Sequence, residues 1–395
     1  MLFTLTCDQK QVLDNLLSWQ EKPKKPFITF GGFAGTGKTT LISVFRKVLS
    51  RKNPKLKVVF CSYTGKASRV LQANLLSFQC IFKQDRVSTI HSLIYEPIDD
   101  ERGNAIAWRK KEEVKADLII VDEASMMDER IWQDLLSFKI PILAVGDHGQ
   151  LPPINGQFNL MQKPDMTLTK IHRQAQDSPI IALSQIVRET GKIPVKNFGQ
   201  GVVKYSRTDP DIYDLMQNLL QSWNEETLFL VGMNHNRIKI NNQIRANFFD
   251  LYELDKNPVV GDRLICLRNN WQKGIYNGMM GKIISLEEER DKRGNLHWFL
   301  VDLKMDDNST FTGKISAYQF NNANKINSIE GISYRQIGEL FDFGYCLTVH
   351  KAQGSQARKV ILFEERNKHM SDEQWQRWLY TAVTRAQEEL IVVGD

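Results

Sequence analysis

Residues 32–39 read Gly-Phe-Ala-Gly-Thr-Gly-Lys-Thr and follow the apolar run Phe27-Ile28-Thr29-Phe30. This is the spacing G-x-x-x-x-G-K-[ST], set between an expected buried strand and an expected helix from Thr40 to Leu49. Few sequence features constrain a fold so tightly. A strand must deliver the chain into a turn that wraps an anion, and a helix must begin where the turn ends, so this part of the chain is expected to be α/β. Glycines at 32, 35 and 37 let the backbone approach a triphosphate closely. The helix start aims unpaired N–H groups and the positive end of its dipole at the phosphates. Lys38 has the reach and charge for the β and γ phosphates, and the Thr39 hydroxyl suits Mg²⁺. A glycine-rich turn of purely structural purpose is the competing reading; the strand before and the helix after weigh against it.

A length of 395 residues exceeds one ordinary core and suggests two or three domains. Against 46 acidic residues stand 52 Lys and Arg, a net charge of +6 that permits a polyanionic partner without requiring one. The five cysteines (Cys7, Cys61, Cys80, Cys266, Cys346) show no C-x-x-C spacing, so neither a zinc site nor a disulfide framework is indicated. No apolar stretch approaches the length of a membrane span, and the N-terminus lacks a basic-then-apolar leader pattern. A reducing, cytoplasmic setting without a membrane partner is the expectation.

Short β-rich apolar runs recur at Phe27–Phe30, Lys57–Cys61, Leu118–Val121, Ile142–Val145, Leu228–Val231, Tyr345–Val349, Lys359–Phe363 and Leu390–Val393, separated by helical patterns. Continuous apolar runs of this length suit parallel strands buried on both faces. Two α/β domains are expected, with a break near 168–194. A polar insert at about 95–113, centred on Asp99–Asn104, reads as a hairpin. From about Met280 to Phe341 short strands and turns replace the alternation, including Lys282–Leu286 and Trp298–Leu303 about an Asp291–Asn295 turn, and predict a small β module.

Leu118-Ile119-Ile120-Val121 ends in Asp122-Glu123-Ala124-Ser125, an acidic pair at the carboxyl end of a strand, where α/β sheets bind ligands. Asp122 is expected to hold Mg²⁺ and Glu123 to orient and deprotonate water. A third strand runs into Gly146-Asp147-His148-Gly149-Gln150-Leu151-Pro152-Pro153; Gln150, with a donor and an acceptor, suits a sensor of the γ phosphate.

With Ser62-Tyr63-Thr64-Gly65-Lys66-Ala67, Thr89-Ile90-His91-Ser92-Leu93, Leu168–Arg173, Thr348–Gln356 and Tyr380–Arg385, these segments form an ordered series over nearly the whole chain. That series resembles the motifs of superfamily 1 helicases, most of all the RecD-like and Dda-type group. The resemblance implies two RecA-like parallel-sheet domains, the first at 1–170 and the second at 171–280 plus 341–395, with an SH3-like β accessory module at 281–340 and the hairpin insert acting as a strand-separating pin. It implies a nucleotide site of Gln9, Gly32, Gly35, Thr36, Gly37, Lys38, Thr39, Thr40, Gln353 and Gly354 that takes ATP with Mg²⁺ on Thr39 and Asp122, and two arginine fingers, Arg173 and Arg385. Gln9 is the expected adenine reader; a capping box with Thr6, opening a helix at Lys10–Trp19, is a parallel reading that can hold together with it. DNA contacts are expected from Thr64, Lys66, His91, Thr348 and His350, with stacking candidates Tyr63, Phe82, Tyr95, Trp108, Trp271 and Tyr276, Trp108 first among them as the pin's ring.

The implied activity is ATP-dependent translocation on single-stranded DNA, 5′-to-3′ by family likeness, with unwinding of forked duplexes, in a bacterial cell or a phage-infected host. A single-strand-binding protein or replisome components are further candidate partners. Two alternatives stay open: an RNA helicase, and a nucleotide-gated nucleic-acid switch without processive unwinding. The presence of Glu123 argues against the switch, which has little need of a water-activating base.

Overall fold

The computed structural model describes residues 5–99, 105–152, 158–171, 177–249, 256–270, 273–291, 293–306, 308–326 and 337–395, without the side chains of Lys66, Pro97, Asp99 and residues 105–108. The chain forms two units, one of Met1–Lys192 with Asp372–Thr384, the other of Ile193–Ser371 with Arg385–Asp395.

In the first unit, six strands form a wholly parallel sheet: β1 (Phe27–Gly32), β2 (Val58–Ser62), β3 (Arg86–Thr89), β6 (Leu118–Asp122), β7 (Ile142–Gly146) and β8 (Met166–Leu168), ordered β3-β2-β6-β7-β1-β8. Their apolar runs are continuous because both faces are covered. Val58, Phe60, Leu118 and Ile120 point to α1 (Cys7–Glu21), α2 (Lys38–Lys52) and α3 (Gly65–Ser77). Their neighbours Val59, Cys61, Ile119 and Val121 point to α4 (Ile90–Ile94) and α5 (Glu129–Leu136). Opposite facing of successive residues thus fills two cores from one strand. Helix α2 meets the sheet through Leu41, Ile42, Phe45 and Leu49, the i, i+4, i+8 stripe of an amphipathic helix. Between α4 and β6 stands the hairpin, β4 (Tyr95–Asp99) paired antiparallel with β5 (Ala105–Lys110). The tip at 100–104 lies outside the described residues.

Two helices distant in sequence complete this unit, α6 (Pro179–Thr190) and α9 (Asp372–Val383). They pack on each other, and the Gln376 amide donates to the Arg188 carbonyl. This departs from the expected boundary at 170/171 and from the assignment of 341–395 to the second domain. The first unit keeps 171–192 and draws 372–384 back from the far end of the chain, because α9 finds its hydrogen-bond partners on the loop after β7.

In the second unit, β9 (Asn197–Gly199), β10 (Val202–Tyr205), β11 (Thr227–Val231), β17 (Cys346–Thr348), β18 (Ala357–Phe363) and β19 (Ala386–Val393) form a sheet ordered β17-β11-β18-β19-β10-β9, parallel apart from edge strand β9. It carries α7 (Ile212–Gln221) and α8 (Asn234–Phe249). A separate antiparallel sheet has the order β15-β14-β13-β12-β16, from β12 (Arg263–Cys266), β13 (Met280–Arg290), β14 (Leu296–Met305), β15 (Thr310–Ser316) and β16 (Phe341–Phe343). This module is wider than the expected 281–340, since β12 and β16 both pair into it. One apolar cluster joins its Ile283, Phe299 and Leu303 to Phe229, Val231 and Ile361 of the parallel sheet, which explains why it begins and ends inside the α/β pattern. Two buried ion pairs from α8 hold its margins: Arg245 to Asp262, just before β12 (2.9 Å), and Arg237 to Asp342 in β16 (2.7 Å). Loss of either partner would strand a buried charge, a cost of about 3–5 kcal/mol.

Candidate functional site

The turn after β1 enters α2 through Gly35 and Gly37, with φ of +77° and +79°, which an L side chain rarely adopts. Gly37 caps α2 with no side-chain bond, so the first-turn N–H groups of Lys38, Thr39 and Thr40 have no intrahelical acceptor. At Gly32 an added Cβ would stand 2.5 Å from the Thr36 hydroxyl oxygen, so the loop closes only on glycine there. The Lys38 ammonium donates to the carbonyls of Gly32 (2.7 Å) and Phe33 (3.1 Å) and lies 3.9 Å from Asp147 Oδ2.

Gln9 is almost wholly buried at the back of this loop. Its Oε1 accepts from the Thr6 N–H (3.1 Å) in a capping box, and its Nε2 donates to the Thr36 carbonyl (3.0 Å). The capping reading is therefore present, and the same amide braces the phosphate loop.

Two strands away, β6 ends at Asp122. Its Oδ1 accepts from the Glu123 N–H (3.0 Å), and its pKa is pushed up to about 7 by burial first and then by the Glu123 charge, against that hydrogen bond and Lys38. An acidic pair whose own repulsion disfavours double ionisation is a natural seat for a divalent cation. Glu123 itself sits at φ +54°, a strained left-handed position for a non-glycine residue, of the kind that gathers at active sites. Among the described residues there is no cluster of three or more His, Cys, Asp or Glu fit to hold a metal alone.

Between these edges lies the loop after β7. Asp147 is buried; its Oδ1 accepts from the Gly149 N–H (2.9 Å) and its Oδ2 from the Tyr380 hydroxyl (2.7 Å). Tyr380 oxygen in turn accepts from the Ala34 N–H of the phosphate loop (2.8 Å). Arg377 donates to the carbonyls of His148 (2.8 Å) and Gln150 (3.2 Å), and Thr381 Oγ1 accepts from the Leu151 N–H (3.0 Å). Gln150 is buried, and its Oε1 finds no hydrogen-bond partner among the described residues, an orphan acceptor beside the loop. Phe33 carries His148 at 4.0 Å and the Arg188 guanidinium at 3.7 Å from its ring. With Gly149, Gln376, Arg377 and Tyr380 these residues line a small cleft beside the loop.

The first unit therefore gathers Gln9, Gly32–Thr40, Asp122, Glu123 and Gln150 along one sheet edge. Its expected DNA residues stand on other elements. Thr64 caps α3, accepting from the Ala67 N–H (3.1 Å) and keeping its hydroxyl hydrogen to donate. His91 lies between the rings of Tyr63 (5.8 Å) and Tyr95 (5.9 Å), and burial draws its pKa below the usual value despite Asp128. Lys66 stands in the first turn of α3, and Trp108 on β5 in register with Pro97. Of the other stacking candidates, Phe82 lies under the Arg46 guanidinium (4.4 Å), Tyr63 and Tyr95 bond Asp128 and Asp134, and Tyr276 packs against the second unit's core. Arg173 and Trp271 lie outside the described residues.

In the second unit, Thr348 opens the loop Thr348–Gln356, its Oγ1 accepting from the Lys351 N–H (3.4 Å). Burial lowers the His350 pKa. Gln353 is buried and Gly354 has φ +71°. Arg385, buried, donates to the Ser355 carbonyl (3.1 Å), and its own carbonyl accepts from the Ala357 N–H (3.0 Å), so Arg385 and the Gln353–Gly354 turn form one piece.

Sequence reasoning assigned no role to Asp147, Arg188, Arg377 or Tyr380. Asp147 and Tyr380 lay within quoted segments, but only the folded return of α9 to the first unit brings them together.

A family model described as an AAA domain matches residues 4–201, and a UvrD-like helicase C-terminal domain matches residues 343–393. Over 99% of its length the chain is 26% identical to the ATP-dependent RecD2 DNA helicase of Deinococcus radiodurans, covering 49% of that protein. It is 25% identical to the ATP-dependent DNA helicase dda of Enterobacteria phage T4, covering 98% of this chain and 99% of that one. Thus the chain spans about half of the first relative and nearly all of the second. Among solved structures, Bacteroides Pif1 helicase in complex with ADP-AlF3 and ssDNA aligns over 99% of this chain and 92% of that one, with TM-score 0.56 and 21% identity. That likeness establishes the fold as two RecA-like α/β domains. The chain belongs to the AAA-domain family, in the superfamily 1 group of the RecD, Dda and Pif1 type.

Proposed function

We propose that this protein is an ATP-driven DNA helicase that moves along single strands, 5′-to-3′, and unwinds forked duplexes. The observation that carries the reading is the gathering of the glycine loop, Lys38, the Asp122–Glu123 pair and the orphan Gln150 acceptor along one sheet edge. A switch that only senses nucleotide does not need a glutamate held in a strained backbone position next to the phosphates.

In this reading the N–H groups at the start of α2 and the Lys38 ammonium bind the phosphates, and Gln9 braces the loop from behind and faces adenine. Thr39 and Asp122 would hold Mg²⁺, which supplies charge neutralisation on the phosphates when bound. The Glu123 carboxylate orients water and takes its proton, and Gln150 senses the terminal phosphate. Arg385 and Arg173 serve as arginine fingers. Thr64, Lys66, His91, Thr348 and His350 contact the DNA backbone; the lowered pKa values of the two histidines make them neutral donors at pH 7 rather than cations. The hairpin β4–β5 acts as the separating pin and the antiparallel sheet, read as SH3-like, as a grip on the strand. Dda and RecD2 are named as DNA helicases, which favours DNA over RNA.

The test is ATP turnover with and without single-stranded DNA, together with unwinding of forks bearing a single 5′ or 3′ tail. A several-fold stimulation and unwinding from the 5′ tail are expected; a turnover indifferent to DNA would contradict the motor.

A further inference from the structure

Helix α9 is attached to the first unit through one face. Arg377 and Thr381 bond the loop after β7, and Tyr380, between them in sequence, bonds two things at once: Asp147 of that loop and the Ala34 N–H of the phosphate loop. The second bond is anomalous for a residue that merely packs. Ala34 lies within the Gly32–Thr39 turn whose N–H groups are the anion-binding device, so the hydroxyl occupies a donor that a phosphate oxygen would claim. Asp147, its other partner, lies 3.9 Å from the Lys38 ammonium. Tyrosine and carboxylate together thus engage two of the groups that terminal phosphates require.

We propose that Tyr380 is a positioning residue that couples occupancy of the phosphate loop to helix α9. A triphosphate in the loop takes the Ala34 N–H from the Tyr380 hydroxyl, which keeps only Asp147. The helix then keeps its bonds to the loop after β7, through Arg377, Tyr380 and Thr381, and to α6 through Gln376, and loses its bond to the phosphate loop. Four residues beyond Thr381 in the chain comes Arg385, the proposed arginine finger. Burial keeps the phenol protonated far above the ordinary tyrosine range, so the hydroxyl stays a donor to Asp147 at any working pH.

The proposal rests on the nucleotide reading of the loop, and one experiment separates the two. Amide hydrogen exchange is followed across α9 in the full chain, with and without the non-hydrolysable analogue AMP-PNP, whose binding is measured in parallel. In the unmodified protein, exchange in α9 should change on binding by about threefold to tenfold, the scale of a single hydrogen bond. Tyr380→Phe should bind AMP-PNP within about threefold of the original affinity and show no nucleotide-dependent change in α9, a readout that loss of packing alone would not produce. An α9 that ignores AMP-PNP in the unmodified chain overturns the proposal without any variant, so it stands or falls even if Tyr380→Phe folds poorly. An equal response in Tyr380→Phe overturns it as well. Failure of AMP-PNP to bind the unmodified chain removes the nucleotide reading, and this proposal with it.

Discussion

Both units end a buried parallel strand in a turn that starts a helix, yet they treat the helix start in opposite ways. After β1 the turn is glycine, and α2 begins with no side chain on its first N–H groups. After β11 the N–H groups of Gly232 and Met233, leading into α8, are already taken by one carboxylate: Glu365 Oε2 accepts from them at 2.9 and 3.0 Å, while its Oε1 accepts from the Asn236 amide. A Cβ at Gly232 would stand 2.5 Å from the Glu365 carbonyl oxygen, so that turn is packed shut. A helix N-terminus at a sheet edge is therefore an anion site in both units, and only the first leaves it for a ligand. The second carries its own anion, the Glu365 carboxylate.

The comparison breaks most easily at the first site. Lys38→Ala should lower ATP turnover by about 10²–10³-fold or more, measured as steady-state phosphate release, because the cation facing the terminal phosphates is gone. Glu123→Gln should cost about 10²–10⁴-fold in turnover while nucleotide still binds, since only the base is removed; near-normal hydrolysis would sink the role given to Glu123. On the other side of the comparison, Glu365→Ala should leave one nucleotide bound per chain by equilibrium titration. Its expected cost is stability, about 1–2 kcal/mol for the lost cap, seen as a few degrees in Tm. A second bound nucleotide would mean that Glu365 was the only thing keeping the two units different.

Smaller effects sharpen the account of DNA contact. Trp108→Ala should reduce unwinding more than DNA-stimulated turnover; equal losses would remove the pin assignment from that residue.

Much of the first unit was legible because its chemistry is local. The strands at 27–32, 58–62, 118–122 and 142–146 announced themselves as apolar runs ending in glycine, serine or aspartate, and the hairpin by its polar turn. Short strands such as β3 and β8, at four and three residues, carry too little pattern to be seen. The return of α9 was illegible for a different reason. Helical periodicity predicts that a helix forms, and says nothing of which sheet it packs on 233 residues away, as Tyr380 does on Asp147. The β module was recognised but clipped, since β12 and β16 are short apolar segments indistinguishable from parallel strands until their partners are known. Glu365 gave no sequence signal at all, because a capping carboxylate supplied from a distant loop has no fixed spacing from the helix it caps.

The central claim is that one nucleotide site drives movement along a single strand. Its most direct test is unwinding of a forked duplex by the full chain with ATP, comparing a 5′ tail with a 3′ tail, with Glu123→Gln as the control that binds without turnover. The account predicts strand separation from the 5′ tail, none from the 3′ tail, and none with Glu123→Gln. Separation that proceeds equally with Glu123→Gln, or that occurs only from the 3′ tail, would contradict it.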